Sequence, residues 1–428
     1  MPLDEKAVHS IRSEFPALME KVDGRPVIFF DGPGGTQVHG SVIRAMNRYF
    51  TSANSNTHAA YLYSRRTDEA VYEGRRAMAD FLNASKPEEI VFGPNMTTLT
   101  FRLSQAIGDT LRPGDEIVVT RLDHDANISP WLALQAGGAR IRFVDFHPID
   151  GTLDMDDMER AINRRTKVVA VGFASNALGT INDVQTIAAM AHNCGAWAFV
   201  DAVHYAPHGP IDVNSLGCDF LVCSAYKFFG PHMGVLYGRY EILESLPPRK
   251  VRPAGESPPD KFETGTNNFE GISGAAAAVD YLASVGRRFG DGSGKDHLEL
   301  IDRRREIRSG MSTIRAYEKS LGKRLLTGLL KTKGVQVYGI SEEERLEQRV
   351  PTFSFTIKGL TPREVAAKLD QKNIFVWDGH FYAIEAIRRL GLMDKGGVVR
   401  VGLYHYNTME EVGMLLEALS KMGGVGGH

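Results

Sequence analysis

The chain has 428 residues and a formal charge of -2, too long for one hydrophobic core and without the basic excess that grips nucleic acid or an anionic lipid surface. Hydrophobic residues make up 43% and charged residues 24%, a balance that excludes both a disordered chain and a membrane-embedded one. The charged start (Asp4, Glu5, Lys6, Arg12, Glu14) and the lack of a long apolar run predict neither secretory leader nor membrane span, and hence a cytoplasmic protein.

In chain order, residues 1–25 read as an amino-terminal segment packing near a small domain, 26–295 as a large domain and 296–428 as that small carboxy-terminal domain. Within the large part, short apolar runs alternate with amphipathic stretches: Glu89–Gly93, Glu116–Thr120, Arg140–Phe146, Lys167–Phe173, Ala196–Val203, Phe220–Ser224 and Gly234–Gly238. Continuous Val/Ile/Phe runs suit strands covered on both faces, and their alternation with helices predicts an α/β fold around a mainly parallel, doubly wound sheet. Ligands of such sheets gather at the carboxyl ends of the strands.

After the Pro-rich stretch at Pro253, Pro258 and Pro259, a small-residue helix is expected around Gly274–Ala278, then a loop at 290–295. A charged amphipathic stretch from about His297 to Leu330 follows as a rigid link. The small α+β domain is read from strands near Val335–Ile340, Pro351–Ile357, Ile374–Asp378 and Val398–Tyr404. Its helices start near Thr361 and Thr408, each a cap followed by acidic residues. The last six residues are expected to fray. Cys194, Cys218 and Cys223 lack metal-ligand spacing and read as free thiols, so no metal is expected.

The chemistry concentrates at Asp201, closing the run Ala-Phe-Val-Asp, and at Lys227, 26 positions later in Ser224-Ala-Tyr-Lys. A lysine amine condenses with an aldehyde cofactor, and burial or nearby cations lower its pKa enough to make it a base. A carboxylate holds a pyridine nitrogen protonated, which turns the ring into an electron sink for a carbanion at an α-carbon. Alone, a strand-end Asp is usually a cap and a Lys a solvated residue.

Together with ordered motifs over nearly the full length, the pair resembles the class-V aminotransferases, especially the cysteine desulfurases and selenocysteine lyases. The motifs are Tyr72-Glu-Gly74, Glu89-Ile-Val-Phe92, Asp123-His-Asp-Ala-Asn-Ile-Ser-Pro-Trp131, Ser175-Asn-Ala-Leu-Gly-Thr180, Val200-Asp201, Cys218-Asp-Phe220, Ser224 to Lys227, Glu263-Thr-Gly-Thr266 and Arg400-Val-Gly-Leu403. The resemblance implies pyridoxal 5'-phosphate (PLP) as cofactor and the fold type I of PLP-dependent transferases. That fold has a large domain with a seven-stranded, mostly parallel sheet and a smaller α+β domain.

By resemblance, Lys227, His124 and Asp201 are catalytic. His124 stacks on the pyridine ring and Asn176 bonds the phenolic oxygen. Met96 and Thr97, at a helix start after Asn95, hold the phosphate with Ser224 and Tyr226. Gly265 and Thr266 reach the phosphate of a partner subunit, which implies a homodimer with shared sites. Arg400 grips the substrate's α-carboxylate. Gly34 and Gly35, in the loop Asp31-Gly-Pro-Gly-Gly-Thr36, approach the substrate. His58, Tyr61, Arg65, Asp378, His380 and Tyr382 are candidates for the pocket wall.

Two departures matter. His204, three residues after Asp201, stands where many relatives carry Gln and puts an ionisable group near the cofactor. Tyr382, in Gly379-His-Phe-Tyr-Ala383, stands where desulfurases carry a mobile Cys, and a phenol accepts no sulfur from a substrate. The expected activity is therefore PLP chemistry at the α-carbon of an amino acid, as a carbon–sulfur or carbon–selenium lyase on a cysteine-like substrate without a persulfide-forming Cys. The alternatives are an epimerase or aminotransferase of the same class, or a catalytically silent scaffold.

Overall fold

A computed structural model describes residues 3–290 and 302–422. The expected loop at 290–295, the domain boundary at 295/296, the start of the charged stretch at His297 and the fraying tail fall wholly or partly outside the described residues.

Seven strands form the large sheet: β1 (Ile90–Gly93), β2 (Glu116–Thr120), β3 (Arg140–Val144), β4 (Thr166–Gly172), β5 (Trp197–Asp201), β6 (Phe220–Ser224) and β7 (Gly234–Gly238). Each coincides with an expected run. Their order is β1-β7-β6-β5-β4-β2-β3, and only β7 runs against its two neighbours. The interior strands are buried on both faces, as continuous apolar runs demand. Strand β3 departs from that expectation: it lies at the edge and exposes Arg140. Arg142 of β3 reaches across to the Glu116 carboxylate, Nη2 to Oε1 at 3.0 Å, a charged edge that discourages pairing with another chain.

Helix α1 (Leu62–Leu82) packs on one side of the sheet, and α2 (Met96–Gly108) starts directly after β1. Leu99 and Leu103 of α2 bury with Trp131 and Phe199 over one face, while the apolar cluster on the other face runs on into the small domain.

The small domain is a four-stranded antiparallel sheet of β8 (Val335–Tyr338), β9 (Thr352–Ile357), β10 (Trp377–Gly379) and β11 (Val398–Gly402), ordered β8-β9-β11-β10. Thr361 and Thr408 cap their helices through reciprocal bonds with Glu364 and Glu411. The single strand expected over Ile374–Asp378 is two. Ile374–Phe375 pairs in parallel with Ile28–Phe29, and Trp377–Gly379 pairs with β11, so the chain changes sheets at Val376. Residues 28–29 thus hydrogen-bond to the small domain, although the large domain was expected to begin at 26. Arg12 adds a contact from the amino-terminal helix, 2.7 Å from Glu411.

Helix α3 (Phe269–Phe289) covers the small-residue stretch expected at Gly274–Ala278, and α4 (Arg303–Lys331) covers the described part of the charged stretch. Far from being a free rod, α4 packs along α3 at backbone contact. A Cβ on Gly310 would lie 2.3 Å from the Leu282 carbonyl, and one on Gly286 2.0 Å from the Glu306 carbonyl. Gly310→Ala should therefore cost about 1–3 kcal/mol by forcing the helices apart. Thermal unfolding of the variant checks this, and an unchanged midpoint would contradict the close crossing. No described helix is long and apolar enough to cross a membrane.

Candidate active site

The carboxyl ends of β1, β2, β4, β5 and β6 face one cavity of about 790 Å³, closed on its other side by β10, the turn after it and Arg400 of β11. The parallel register sets this up, because Asp201 ends β5 beside Gly172 of β4 and Val222 of β6. Asp201 is buried and accepts the Val203 N–H at 2.9 Å; burial pushes its carboxyl up to about 6. Asp123, past the end of β2, is buried as well, and burial first, with the nearby Asp201 charge adding, raises it to about 7. It accepts the Gly172 N–H and the Asn127 amide, each at 2.8 Å.

Lys227 reaches the cavity from the short turn after β6, and its Nζ donates to the carbonyls of Pro33 and, at 3.0 Å, Gly34. Burial chiefly, and the Arg400 charge next, bring its amine down to about 7, where a usable fraction is unprotonated at neutral pH. The glycine loop is shaped by close approach: a Cβ on Gly34 would sit 2.5 Å from the Trp377 ring. Gly35 packs against the Tyr226 ring and does not line the cavity.

His124 caps the turn Asp125–Asn127, and its Nδ1 accepts the Ala126 N–H at 3.0 Å, which leaves the proton of a neutral ring on Nε2. Burial, then the Lys227 and Arg400 charges, lower its pKa to about 4. Its ring faces Tyr382, centroids 5.5 Å apart.

The start of α2, where the phosphate is expected, borders the cavity through Met96 and Thr97. The Met96 N–H expected to bind phosphate donates instead to Ser224 Oγ at 3.1 Å, and the Thr98 N–H is used by the Asn95 cap at 2.9 Å. Ser224 is buried and does not line the cavity, so the amide and hydroxyl of Thr97, which does, are the donors left there for an anion. Tyr226 lines the cavity nearby, stacked on His232 at 4.8 Å.

Arg400 is buried on β11. Its Nη1 donates to the Asn176 carbonyl at 2.9 Å, and its guanidinium lies 4.1 Å over the Phe381 ring. The Asn176 amide, expected to bond the cofactor, donates to the Phe381 carbonyl at 2.9 Å. Asn176 Oδ1 and Arg400 Nε are buried without a partner, and both residues line the cavity. Phe381 and Tyr382 hold positive φ angles of 53° and 58°, strained for such side chains, and the Asp125 N–H donates to the Tyr382 carbonyl at 2.7 Å. His380, Asp378 and His204 complete the wall.

Among the expected site residues, Gly35, His58, Tyr61, Arg65, Ser224, Gly265 and Thr266 do not line this cavity. His58 is exposed and pairs with Asp68 at 3.3 Å, while Gly265 and Thr266 are exposed on a loop. The reading of the sequence passed over Asp123, whose place beside His124 in the motif was a signal, and Phe101 and Trp377, for which none existed.

A buried carboxylate, a depressed lysine amine, a neutral imidazole and free donors at a helix start suit the pyridine nitrogen, aldehyde, ring face and phosphate of PLP. The two unpartnered atoms of Asn176 and Arg400 fit polar groups entering the cavity.

A family model described as Aminotransferase class-V matches residues 28–293 and 306–415. A protein of Mycolicibacterium paratuberculosis named "Probable cysteine desulfurase" is 35% identical over 432 residues, 97% of this chain; the chain spans only 58% of that relative's length. One of the same name from Halalkalibacterium halodurans is 34% identical over 439 residues, 98% of this chain and 99% of its own. The apo structure of cysteine desulfurase from Thermococcus onnurineus superimposes with a TM-score of 0.85 at 30% identity, covering 97% of this chain and 98% of that one. Both the family and the cysteine desulfurases depend on PLP. The chain belongs to the class-V aminotransferase family, as a PLP-dependent enzyme similar to cysteine desulfurases.

Proposed function

We propose that the protein cleaves a carbon–sulfur or carbon–selenium bond of a cysteine-like amino acid without forming a persulfide on itself. One observation carries this reading: Tyr382 projects beside His124 in the cavity, and none of the three cysteines lines it. Cys218 and Cys223 are buried, and burial pushes the Cys218 thiol up to about 12 and the Cys223 thiol higher still, so neither offers a thiolate.

PLP, when bound, supplies an aldehyde for the substrate amine and a ring that accepts the α-carbon's electron pair. Arg400 holds the substrate carboxylate with a planar, paired set of donors. Lys227 Nζ takes the α-proton, and its lowered pKa keeps it unprotonated for that task. Asp201 would hold a proton on the pyridine nitrogen, and the neutral His124 is the ring that would face the cofactor. Phe381, buried beside Arg400, closes part of the cavity wall.

Division into the segments 1–25, 26–295 and 296–428 is part of the same reading, as is a homodimer in the cytoplasm. Ile43, Phe50, Tyr61 and Leu62 are each about half exposed on neighbouring elements, an apolar face that a second copy would cover. Gly265 and Thr266, outside this chain's cavity, are then free to complete the partner's.

The test is to incubate PLP-loaded protein with L-cysteine, selenocysteine and a panel of other amino acids. Sulfide or selenium release, with no sulfur trapped on the protein by alkylation and mass spectrometry, is the expected result. A protein-bound persulfide overturns the reading. Keto acid without sulfide, or inverted substrate, would assign the protein to the transaminases or epimerases, and no turnover of any amino acid would leave a silent scaffold.

A further inference from the structure

The polar interior continues beyond the cofactor cavity. His204, at the cavity's edge, is buried, and its Nε2 lies 3.0 Å from the Thr352 hydroxyl. Its ring meets that of His208 edge-on, centroids 5.7 Å apart. His208 Nδ1 lies 2.7 Å from Glu318 Oε2, and Glu318 Oε1 accepts the His405 N–H at 3.0 Å. His208 and Glu318 are almost fully buried, yet both line a second, small cavity of about 20 Å³ whose outer wall is Arg315, Lys319 and Glu347. That is room for about one water.

Four buried polar atoms in this region have no partner among the described residues: His208 Nε2, His405 Nδ1 and the hydroxyls of Tyr404 and Tyr406. A buried donor or acceptor left unmet is costly, so such atoms mark places for ordered water. A purely structural His208–Glu318 pair needs neither a free second nitrogen on the imidazole nor an opening toward solvent. Burial holds the His204 ring neutral, with one N–H and one lone pair, the form that passes a proton on. Glu318 is faced by His208, His405 and Arg315, and by the hydroxyls of Tyr404 and Tyr406; burial raises its pKa while His208 opposes the rise.

We propose that His204, His208 and Glu318 form a proton path from the edge of the cofactor cavity to solvent at the Arg315 face, apart from the opening through which substrate enters. Each hop breaks one N–H or O–H bond and makes another, so one proton crosses and nothing is oxidised or reduced. The path rests on the reading that a proton is taken from carbon in the cavity and must leave, or return, while substrate blocks the entrance. These are positioning and relay residues, not catalytic ones.

Glu318→Gln keeps the side chain's size and an oxygen for the His405 N–H but removes the carboxylate that draws protons through His208. In the loaded enzyme it should slow exchange of a substrate's α-proton with D2O at least about tenfold, leave KM within about twofold, and be rescued by added imidazole. In the cofactor-free protein, exchange of the His204 ring N–H with solvent, followed by NMR, should slow to a similar degree. His208→Gln serves the same purpose if the first variant does not fold. Unchanged ring N–H exchange, or a loss of substrate exchange that imidazole does not rescue, overturns the path. Wild-type enzyme that exchanges no α-proton of any amino acid overturns the functional reading instead, and the ring N–H measurement then decides the path alone.

Discussion

Lys227→Ala should leave the protein colourless after incubation with PLP and gel filtration, and should lower turnover of any amino acid by at least about 10³-fold. The size of the effect follows from two roles that fall on one amine. On the proposed reading Nζ is both the nucleophile the cofactor's aldehyde needs and the base that takes the α-proton, and among the described residues no other lysine lines the cavity. Borohydride should fix the cofactor covalently to wild-type chain and not to the variant. Lys227→Arg separates the roles of charge and nucleophile: it keeps a cation near Asp201 and Asp31 but cannot condense with an aldehyde, so it should be as inactive as the alanine variant. A yellow, borohydride-fixable Lys227→Ala protein would remove the foundation of the assignment.

Asp201→Asn should act in opposite directions on stability and on turnover. Burial raises the Asp201 carboxyl from 3.8 to about 6, so in the cofactor-free protein its contribution to stability is fully present below about pH 4 and is lost as pH rises through about 6. Above that, an ionised buried carboxylate opposes folding by up to about 3 kcal/mol, the equivalent of about two pKa units. Asparagine can still accept the Val203 N–H and carries no charge. The cofactor-free variant should therefore gain little at pH 4 and more at pH 8, which thermal unfolding at the two pH values will show. Lys227 runs the other way: its amine is depressed to about 7, so stability tied to it falls as pH drops through about 7. With PLP present, the variant loses the anion that keeps the pyridine nitrogen protonated, and turnover should drop by about 10²- to 10³-fold. Equal melting temperatures at both pH values together with undiminished turnover would remove Asp201 from this role.

Much of the architecture was legible because local pattern and global fold agree. Seven apolar runs became the seven strands of one sheet, since a strand buried on both faces must be apolar throughout, and Thr361 and Thr408 capped the helices they precede. The misreadings share a cause in partners distant along the chain. Ile374–Asp378 split because Ile28–Phe29 claimed its first half and β11 its second, and α4 lay along α3 because two glycines let the backbones touch. Neither contact leaves a mark in the pattern of the segment itself.

The same division holds at the site. Residue types and motif order, through the family resemblance they carry, pointed to a lysine, a carboxylate, an imidazole and an arginine of one PLP enzyme, and the tertiary structure brings Lys227, Asp201, His124 and Arg400 to one cavity. The tertiary structure decided how their hydrogen bonds are spent. Ser224 takes the Met96 N–H, Phe381 takes the Asn176 amide, the Asp201 charge helps raise the buried Asp123 carboxyl, and His208 and Glu318 line a second, small cavity. A donor can serve only one acceptor well, and a charge feels every neighbour within a few ångströms, so these choices follow from distances between segments far apart in the chain.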